Sequence, residues 1–397
     1  MTKQVQLPHD WKWVKLGEVC NTTSGGTPSR RELKYYNGSI PWVKSGELNK
    51  GLILNTEEKI SEEAIKNSSA KIFPKGTLLI ALYGATIGKL AFLGVDAATN
   101  QAICGIYKND NISSSFLYNY LLYKKQKLVN QAIGGAKPNI SQTILKNLEL
   151  PLPPKPTQLA IVSKIEELFS ELDKGIENMH IAQQQLKTYR QAVLKWAFEG
   201  KLTNNLVIEN ELSKAWNFKR LGDMFAFVGG GTPSKSEKNY WNGTIFWASV
   251  KDVKGAYLNK TQDTITKEGL KNSASNLAEP GDVILITRIS PGKSIISNVK
   301  SAINQDLKIA KPKFKTTSKF INYFFNAIER ECVKIASGTT VLGITLNNLN
   351  ELKIPDLDIE EQNKIVQEIE SRLSIADKME ESITQSLQQA EALRQVF

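Results

Sequence analysis

The chain is written twice. LGEVCNTTSGGTPSRRELKYYNGSIPWVKSGEL begins at Leu16, and LGDMFAFVGGGTPSKSEKNYWNGTIFWASVKDV begins at Leu221, an offset of 205 residues. The match runs on at that offset from Ile60 to Ile265. It then drops to 204 through one deleted residue, so that Gly88-Lys89 aligns with Gly292-Lys293, Asn100-Gln101 with Asn304-Gln305, and Gln158 with Gln362. A tandem duplication constrains the architecture more than any local propensity, because each copy must build the same unit. A length of 397 residues agrees with two or three domains.

Each copy has two parts. The first, of about 150 residues, alternates short β-type runs (Ser39 to Val43, Thr77 to Leu82, Ala102 to Tyr107, and their copies) with Gly, Pro and Asn turns. Helical patterns lie between them, over Ser61 to Asn67 and after Ser113 and Ser318. The pattern predicts a mixed α/β (α+β) globular domain. The second part is a heptad helix. Its stripe runs Val162, Ile165, Phe169, Leu172, Ile176, Met179, Gln183, Leu186, Arg190, Val193 and Ala197. The copy runs Val366, Ile369, Leu373, Ala376, Glu380, Ile383, Leu387, Ala390, Arg394 and Phe397. Each stripe needs a partner, and the simplest is the other helix of the same chain. Antiparallel pairing is the better geometry: it gives the tandem repeat an approximate two-fold axis and places the globular parts at opposite ends of the rod. Prolines 151, 153, 154 and 156 punctuate the approach to the first helix, and Gly200 with a polar linker through Trp216 follows it.

Net charge is +11, with 51 Lys and Arg against 40 Asp and Glu. Residues 157–200 carry −1 and residues 359–397 carry −4, which leaves +16 on the rest. The basic material outside the helices is therefore the expected face for a polyanion such as double-stranded DNA. No apolar run approaches the roughly 18 residues of a membrane span, and the N-terminus lacks the apolar core of a secretory signal. A cytoplasmic protein without membrane contact is expected. Three scattered cysteines (Cys20, Cys104, Cys332) and two histidines argue against disulfides and against a zinc or His-rich metal site.

No stretch of the sequence reads as a complete catalytic motif. Gly84-Ala-Thr-Ile-Gly-Lys-Leu has three residues between its glycines where a P-loop needs four, and Leu90 stands where a magnesium-binding hydroxyl belongs. In the copy, Thr287 fills the first glycine position. The acidic stretch from Pro355 has Gln362 two places before Lys364 where a nuclease motif needs a carboxylate, and its acids suit a helix N-terminus.

What remains is a Gly/Thr/Ser loop with a basic edge, Ser24-Gly25-Gly26-Thr27-Pro28-Ser29-Arg30-Arg31, and its copy with Gly230, Gly231, Thr232, Ser234 and Lys235. Small residues let backbone N–H groups approach a phosphate, and hydroxyls and cations add to the grip. The alternative is a plain tight turn before Tyr36 or Tyr240. Lys89, Lys293 and Lys137 are further phosphate candidates. Trp42 and Trp247 read as core. Asn100-Gln101 and Asn304-Gln305 suit either adenine edges or structural hydrogen bonds. Base readout belongs to the residues that differ between the copies, Arg30 to Tyr35 against Lys235 to Asn239, Lys44 to Lys50, and Tyr83 against Arg288, and Lys251 is a further DNA-binding candidate.

Taken together, SGGTPS and GGGTPS, NGSIPW and NGTIFW, YGATIGK, NQAI, PLPPKPTQLAIVSKIEELF and AVLKWAFEGKLT at Ala192 to Thr203 resemble the specificity (S) subunits of type I restriction-modification systems. The resemblance covers essentially the whole chain. The second copy departs at Phe246 and Asp306 and ends at Phe397 without a second AFEGKLT. The resemblance implies two target recognition domains, at 1–156 and 204–357, each reading one half of a split DNA site. It implies spacer helices at 157–203 and 358–397 that form an antiparallel coiled coil and dock two methyltransferase (M) subunits. Restriction (R) subunits complete the complex. S-adenosylmethionine, ATP and Mg2+ are then expected on the partners, with no cofactor, no metal and no catalytic residue on this chain. A DNA methyltransferase or nuclease with an unrecognised active site is the alternative. A purely structural coiled-coil adaptor would leave the +16 unexplained.

Overall fold

A computed structural model describes residues 6–131, 139–203, 216–338 and 341–396. Lys137, Phe397 and most of the linker before Trp216 lie outside the described residues. The chain divides into two compact units, residues 1–177 with 389–397, and residues 178–388.

In the first unit a five-stranded sheet runs in the order Thr22–Ser24, Ile103–Ile106, Leu78–Ala81, Leu90–Leu93, Leu52–Ile53. A four-stranded sheet runs Glu58–Ile60, Ile40–Val43, Ala97–Thr99, Ile72–Phe73. Pairing is antiparallel except for Ile40–Val43 on Ala97–Thr99 and Leu52–Ile53 on Leu90–Leu93. Leu78–Ala81 and Ile103–Ile106 are buried throughout, as expected of strands covered on both faces. Leu78, Ile80, Cys104 and Ile106 pack with Phe116, Leu117 and Leu121 of the helix Ser114–Asn130. Ser113 caps that helix by accepting from the Phe116 amide. A two-stranded ribbon, Lys12–Lys15 on Glu149–Leu152, leads into the first long helix.

The second unit repeats this topology strand for strand. Phe225–Gly229, Leu307–Pro312, Val283–Ile286, Ser294–Ser297 and Tyr257–Leu258 form its larger sheet. Asp263–Ile265, Trp241–Ala248, Ser301–Ile303 and Leu277–Ala278 form the smaller one. The mixed α/β class and the internal repeat read from the sequence are both present. The three cysteines are free and buried.

The first long helix spans Lys155–Phe198 and the second Ile359–Val396. Pro156 sits in the first turn, where a missing N–H costs nothing. At the far end Gly200 takes φ 75°, and Lys201 donates to the Trp196 carbonyl at 2.9 Å, a left-handed stop that a Cβ would oppose. In both copies a fully buried glutamine pins the helix start: Gln158 donates to the carbonyls of Asn111 and Pro153, and Gln362 to those of Lys315 and Leu357.

Within the second unit the helices run antiparallel. Thr203 donates to Glu361 at 2.9 Å while Arg190 meets Asp377 at 2.6 Å, so one number falls as the other rises. Of its seam residues, Leu186, Val193, Val366, Ile369, Ala376 and Leu387 are buried, and Met179, Leu373 and Ile383 half-buried. In the first unit Val162 and Ala390 are buried, with Ile165, Phe169, Leu172 and Ile176 half-buried. Among the described residues no helix is long and apolar enough to cross a membrane, and no His, Cys, Asp or Glu cluster could hold a metal.

Candidate nucleic-acid interface

In each unit a buried tryptophan organises the glycine loop. Trp42 Nε1 donates to the Gly26 carbonyl at 3.1 Å, and Trp247 Nε1 to the Gly231 carbonyl at the same distance. The loop's own amides are spent inside the fold. Gly25 N donates to Ile103 O at 3.0 Å, Gly26 N to Thr99 O at 2.9 Å, and Gly231 N to Ile303 O at 3.0 Å. A Cβ on Gly25 would stand 2.0 Å from Thr99 Oγ1, and one on Gly26 2.4 Å from the Ser69 backbone. On Gly230 it would stand 2.2 Å from the Ile303 carbonyl. The expected phosphate grip by the amides of Gly25, Gly26 and Gly231 is therefore corrected: these glycines admit neighbouring protein backbone, and their donors are not available. Ser24 also turns inward, accepting from Gln142 at 2.5 Å.

The loop does present side chains. The Thr27 hydroxyl donates to Gln101 Oε1, and the Thr232 hydroxyl to Gln305 Oε1, the same pair in both units. The Asn-Gln steps thus have a structural partner in each copy. Ser29 and Ser234 are exposed, and Ser234 Oγ lies 2.7 Å from Ser236 Oγ.

Beyond the threonine the two units differ. In the first, Arg30 lies on the Tyr36 ring at 4.1 Å from its centroid and grips Glu58 with two hydrogen bonds at 2.6 and 3.3 Å. Lys44 reaches the same carboxylate at 3.1 Å and Glu57 at 2.8 Å. The Arg30 guanidinium, with Lys44 behind it, holds the Glu58 carboxyl below the ordinary carboxylate range. Both cations are thereby tethered, while Arg31 is exposed with no ion-pair partner among the described residues.

In the second unit the matching positions carry Lys235, Trp241, Ser249 and Asp263. Trp241 stands edge-on to Trp247 with centroids 5.1 Å apart. Lys235 and Asp263 make no ion pair with each other, and a cleft of about 710 Å3 opens between Thr232, Lys235, Trp241, Lys251, Asp263 and Gln305. Lys235 and Lys251 are exposed on its rim. Arg288 joins the group through Asp306, which it meets at 3.1 Å, and Asp306 accepts from Asn304 and Gln305.

Other candidates fall elsewhere. Tyr83 bridges to Asn139. The Gly-Lys turns pack on helices: a Cβ on Gly88 would meet Lys125 and one on Gly292 the Glu329 backbone, and Lys293 faces Glu329 at 3.8 Å. Lys89 and Lys293 therefore stand apart from the tryptophan clusters. Glu58, Asp263 and Trp241 are absent from the sequence candidates, and Tyr36 stands there only as the residue that follows the turn. The signal was available, since Glu58 and Asp263 are acids at matched positions of the repeat.

The family described as "Type I restriction modification DNA specificity domain" matches residues 8–179 and 213–389, once in each copy. The MjaIX type I restriction enzyme specificity subunit of Methanocaldococcus jannaschii is 28% identical over 371 residues, covering 89% of this chain and 82% of that protein. The EcoKI specificity subunit of Escherichia coli K12 is 22% identical, covering 98% of this chain and 88% of its own length. Among solved structures, the HsdS subunit from Thermoanaerobacter tengcongensis superimposes with a TM-score of 0.63 at 21% identity, covering 100% of this chain and 97% of that one.

Proposed function

Because the chain belongs to the type I restriction-modification DNA specificity family, we propose that it is the DNA-reading subunit of such a system, each sheet domain recognising one half of a bipartite duplex site. The observation that carries this reading is a shared scaffold with different contents. The Thr-Gln pair and the buried tryptophan recur in both units, whereas Arg30, Lys44 and Glu58 are replaced by Lys235, Ser249 and Asp263. Repeated geometry with changed donors and acceptors is what a reader of two unlike half-sites needs. In this reading the exposed Arg31, Lys235 and Lys251 contact phosphate and make affinity fall with salt.

In this reading the chain does no chemistry. The paired long helices serve as spacer and as docking platform for two methyltransferase subunits, and restriction subunits join the same assembly in the cytoplasm. S-adenosylmethionine, ATP and Mg2+ bind those partners. Replacing Arg30, Lys44 and Glu58 by the Lys, Ser and Asp of the other unit tests the assignment in the complex with the methyltransferase subunit. The expected result is altered preference at one half-site and none at the other; unchanged preference at both would remove the cluster from base readout. Methyl transfer by the purified chain alone would favour the enzyme reading instead.

A further inference from the structure

Beside the cleft of the second unit an arginine is held by a carboxylate that is itself held. Arg288 Nη1 lies 3.1 Å from Asp306 Oδ1, with the Asp306 side chain 13% exposed and the Arg288 side chain 47%. The other oxygen, Oδ2, accepts from Asn304 Nδ2 at 3.2 Å and from Gln305 Nε2 at 3.3 Å. The Asp306 amide donates to Asn304 Oδ1 at 3.0 Å. Asn304 and Gln305 line the cleft together with Lys235 and Lys251. A Cβ on Gly343 would stand 3.0 Å from Arg288 Cγ, so the arginine stem lies along bare backbone.

The first unit lacks this device on the same backbone. Arg288 bridges to Gly343 as Tyr83 does to Asn139. The Thr287 amide donates to the Asp306 carbonyl at 2.9 Å, as the Leu82 amide does to the Ala102 carbonyl at 2.7 Å. Tyr83, Ala102 and Asn139 are therefore the counterparts of Arg288, Asp306 and Gly343. The arginine, its carboxylate and the glycine that makes room for its stem differ together, while the Thr-Gln pair beside them is kept. The fold stands without the ion pair in the first unit, so the fold does not require it. The next residue, Ile289, is held at φ 77° and is 55% exposed where the first unit has Gly84. Strained residues of this kind gather in segments that meet a ligand.

We propose that Arg288 reads a guanine in the half-site of the second unit and that Asp306 is the residue that positions it. This rests on the reading of that unit as a half-site reader. A guanidinium presents paired N–H donors in a planar fork, and in the major groove guanine offers two adjacent acceptors, N7 and O6. Ordering a free arginine on DNA costs side-chain entropy. The carboxylate restricts Arg288 beforehand and leaves nearly half of its side chain open to a base.

The test uses the full chain in the reconstituted complex with the methyltransferase subunit. Exchange of residues 204–357 for the corresponding region of another specificity subunit identifies the block that the second unit reads. 7-Deazaguanine, which lacks the N7 acceptor, is then placed at each guanine of that block. One position is expected at which the analogue weakens binding by the parent complex about fivefold or more, a measurement that needs no variant. At that position Arg288→Gln and Arg288→Lys should bind native guanine about tenfold more weakly than the parent and lose the response to the analogue. Asp306→Asn should lose the same response at the same position, which a carboxylate that only stabilised the fold would not cause. No response of the parent at any guanine of the block would overturn the proposal and leave the half-site reading intact. So would an Arg288→Gln complex that weakens equally on all sequences and keeps the response, the mark of a phosphate contact. An exchange that changes neither block would overturn the half-site reading and the proposal with it.

Discussion

Arg190 donates to Asp377 at 2.6 Å, and the 204-residue offset exchanges the two partners: Arg394 meets Asp173 at 2.9 Å. The first pair lies wholly within the second unit and the second pair within the first unit. Arg190 also reaches Glu380 at 2.8 Å, and the Arg394 guanidinium lies 4.7 Å from the Phe169 ring centroid. Arg190, Glu380 and Arg394, which interrupt the apolar stripes, are thus cross-helix partners. Polar seam positions commonly set register and orientation at some cost in stability.

A double-mutant cycle on Arg190 and Asp377 tests that role. The Arg190 side chain is 26% exposed and the Asp377 side chain 68%, so solvent screening keeps the pair weak. A coupling of about 0.5–1 kcal/mol is expected from thermal or denaturant unfolding. Arg190→Asp and Asp377→Arg should each destabilise, and the double variant should recover most of the loss. Additive losses would show that the pair carries no orientation signal.

Ile289 offers a test of backbone strain. It has φ 77° and a 55% exposed side chain, and its repeat counterpart is Gly84 with φ 82°. A β-branched residue in the left-handed region costs roughly 1–2 kcal/mol. Glycine relieves this but regains about 0.5–1 kcal/mol of unfolded-state entropy. Ile289→Gly should therefore stabilise the second unit by about 0.5 kcal/mol, while Ile289→Val, which keeps the branch, should change little. A destabilised glycine variant would mean that the turn is held by Ile289 itself.

The Arg30–Glu58 pair gives a pH dependence with a definite sign. Glu58 titrates below its ordinary value in the folded protein, chiefly through Arg30. Its contribution is complete above the unfolded carboxylate range and is lost as pH falls through the folded value. Glu58→Gln should lower the melting temperature near about pH 7, and the difference from the parent should close toward about pH 3. With the Arg30 side chain 54% exposed, the effect at neutral pH should stay within about 1 kcal/mol. A difference that persists unchanged at low pH would assign it to packing on Tyr36 rather than to charge.

The duplication, the strand runs and both heptad helices could be read in the sequence, because a repeat and a period are properties of order along the chain. The tryptophan-centred clusters could not. Arg30 and Glu58 meet only because Glu58–Ile60 pairs with Ile40–Val43 in the smaller sheet. The glycine loop misled for a related reason: a glycine admits close approach, and composition does not say whether a ligand or Thr99 does the approaching. Gln101 and Gln305 show what the repeat can reveal, since a polar pair kept at matched positions proved to hold matched threonines.

Exchange of residues 1–150 for the corresponding region of another specificity subunit, with methylation sites mapped in the reconstituted complex, tests the central claim most directly. Two reading domains predict a site of two short sequence blocks separated by a nonspecific gap, of which one block changes and the other stays. A change in both blocks, or a single uninterrupted recognition sequence, would contradict it.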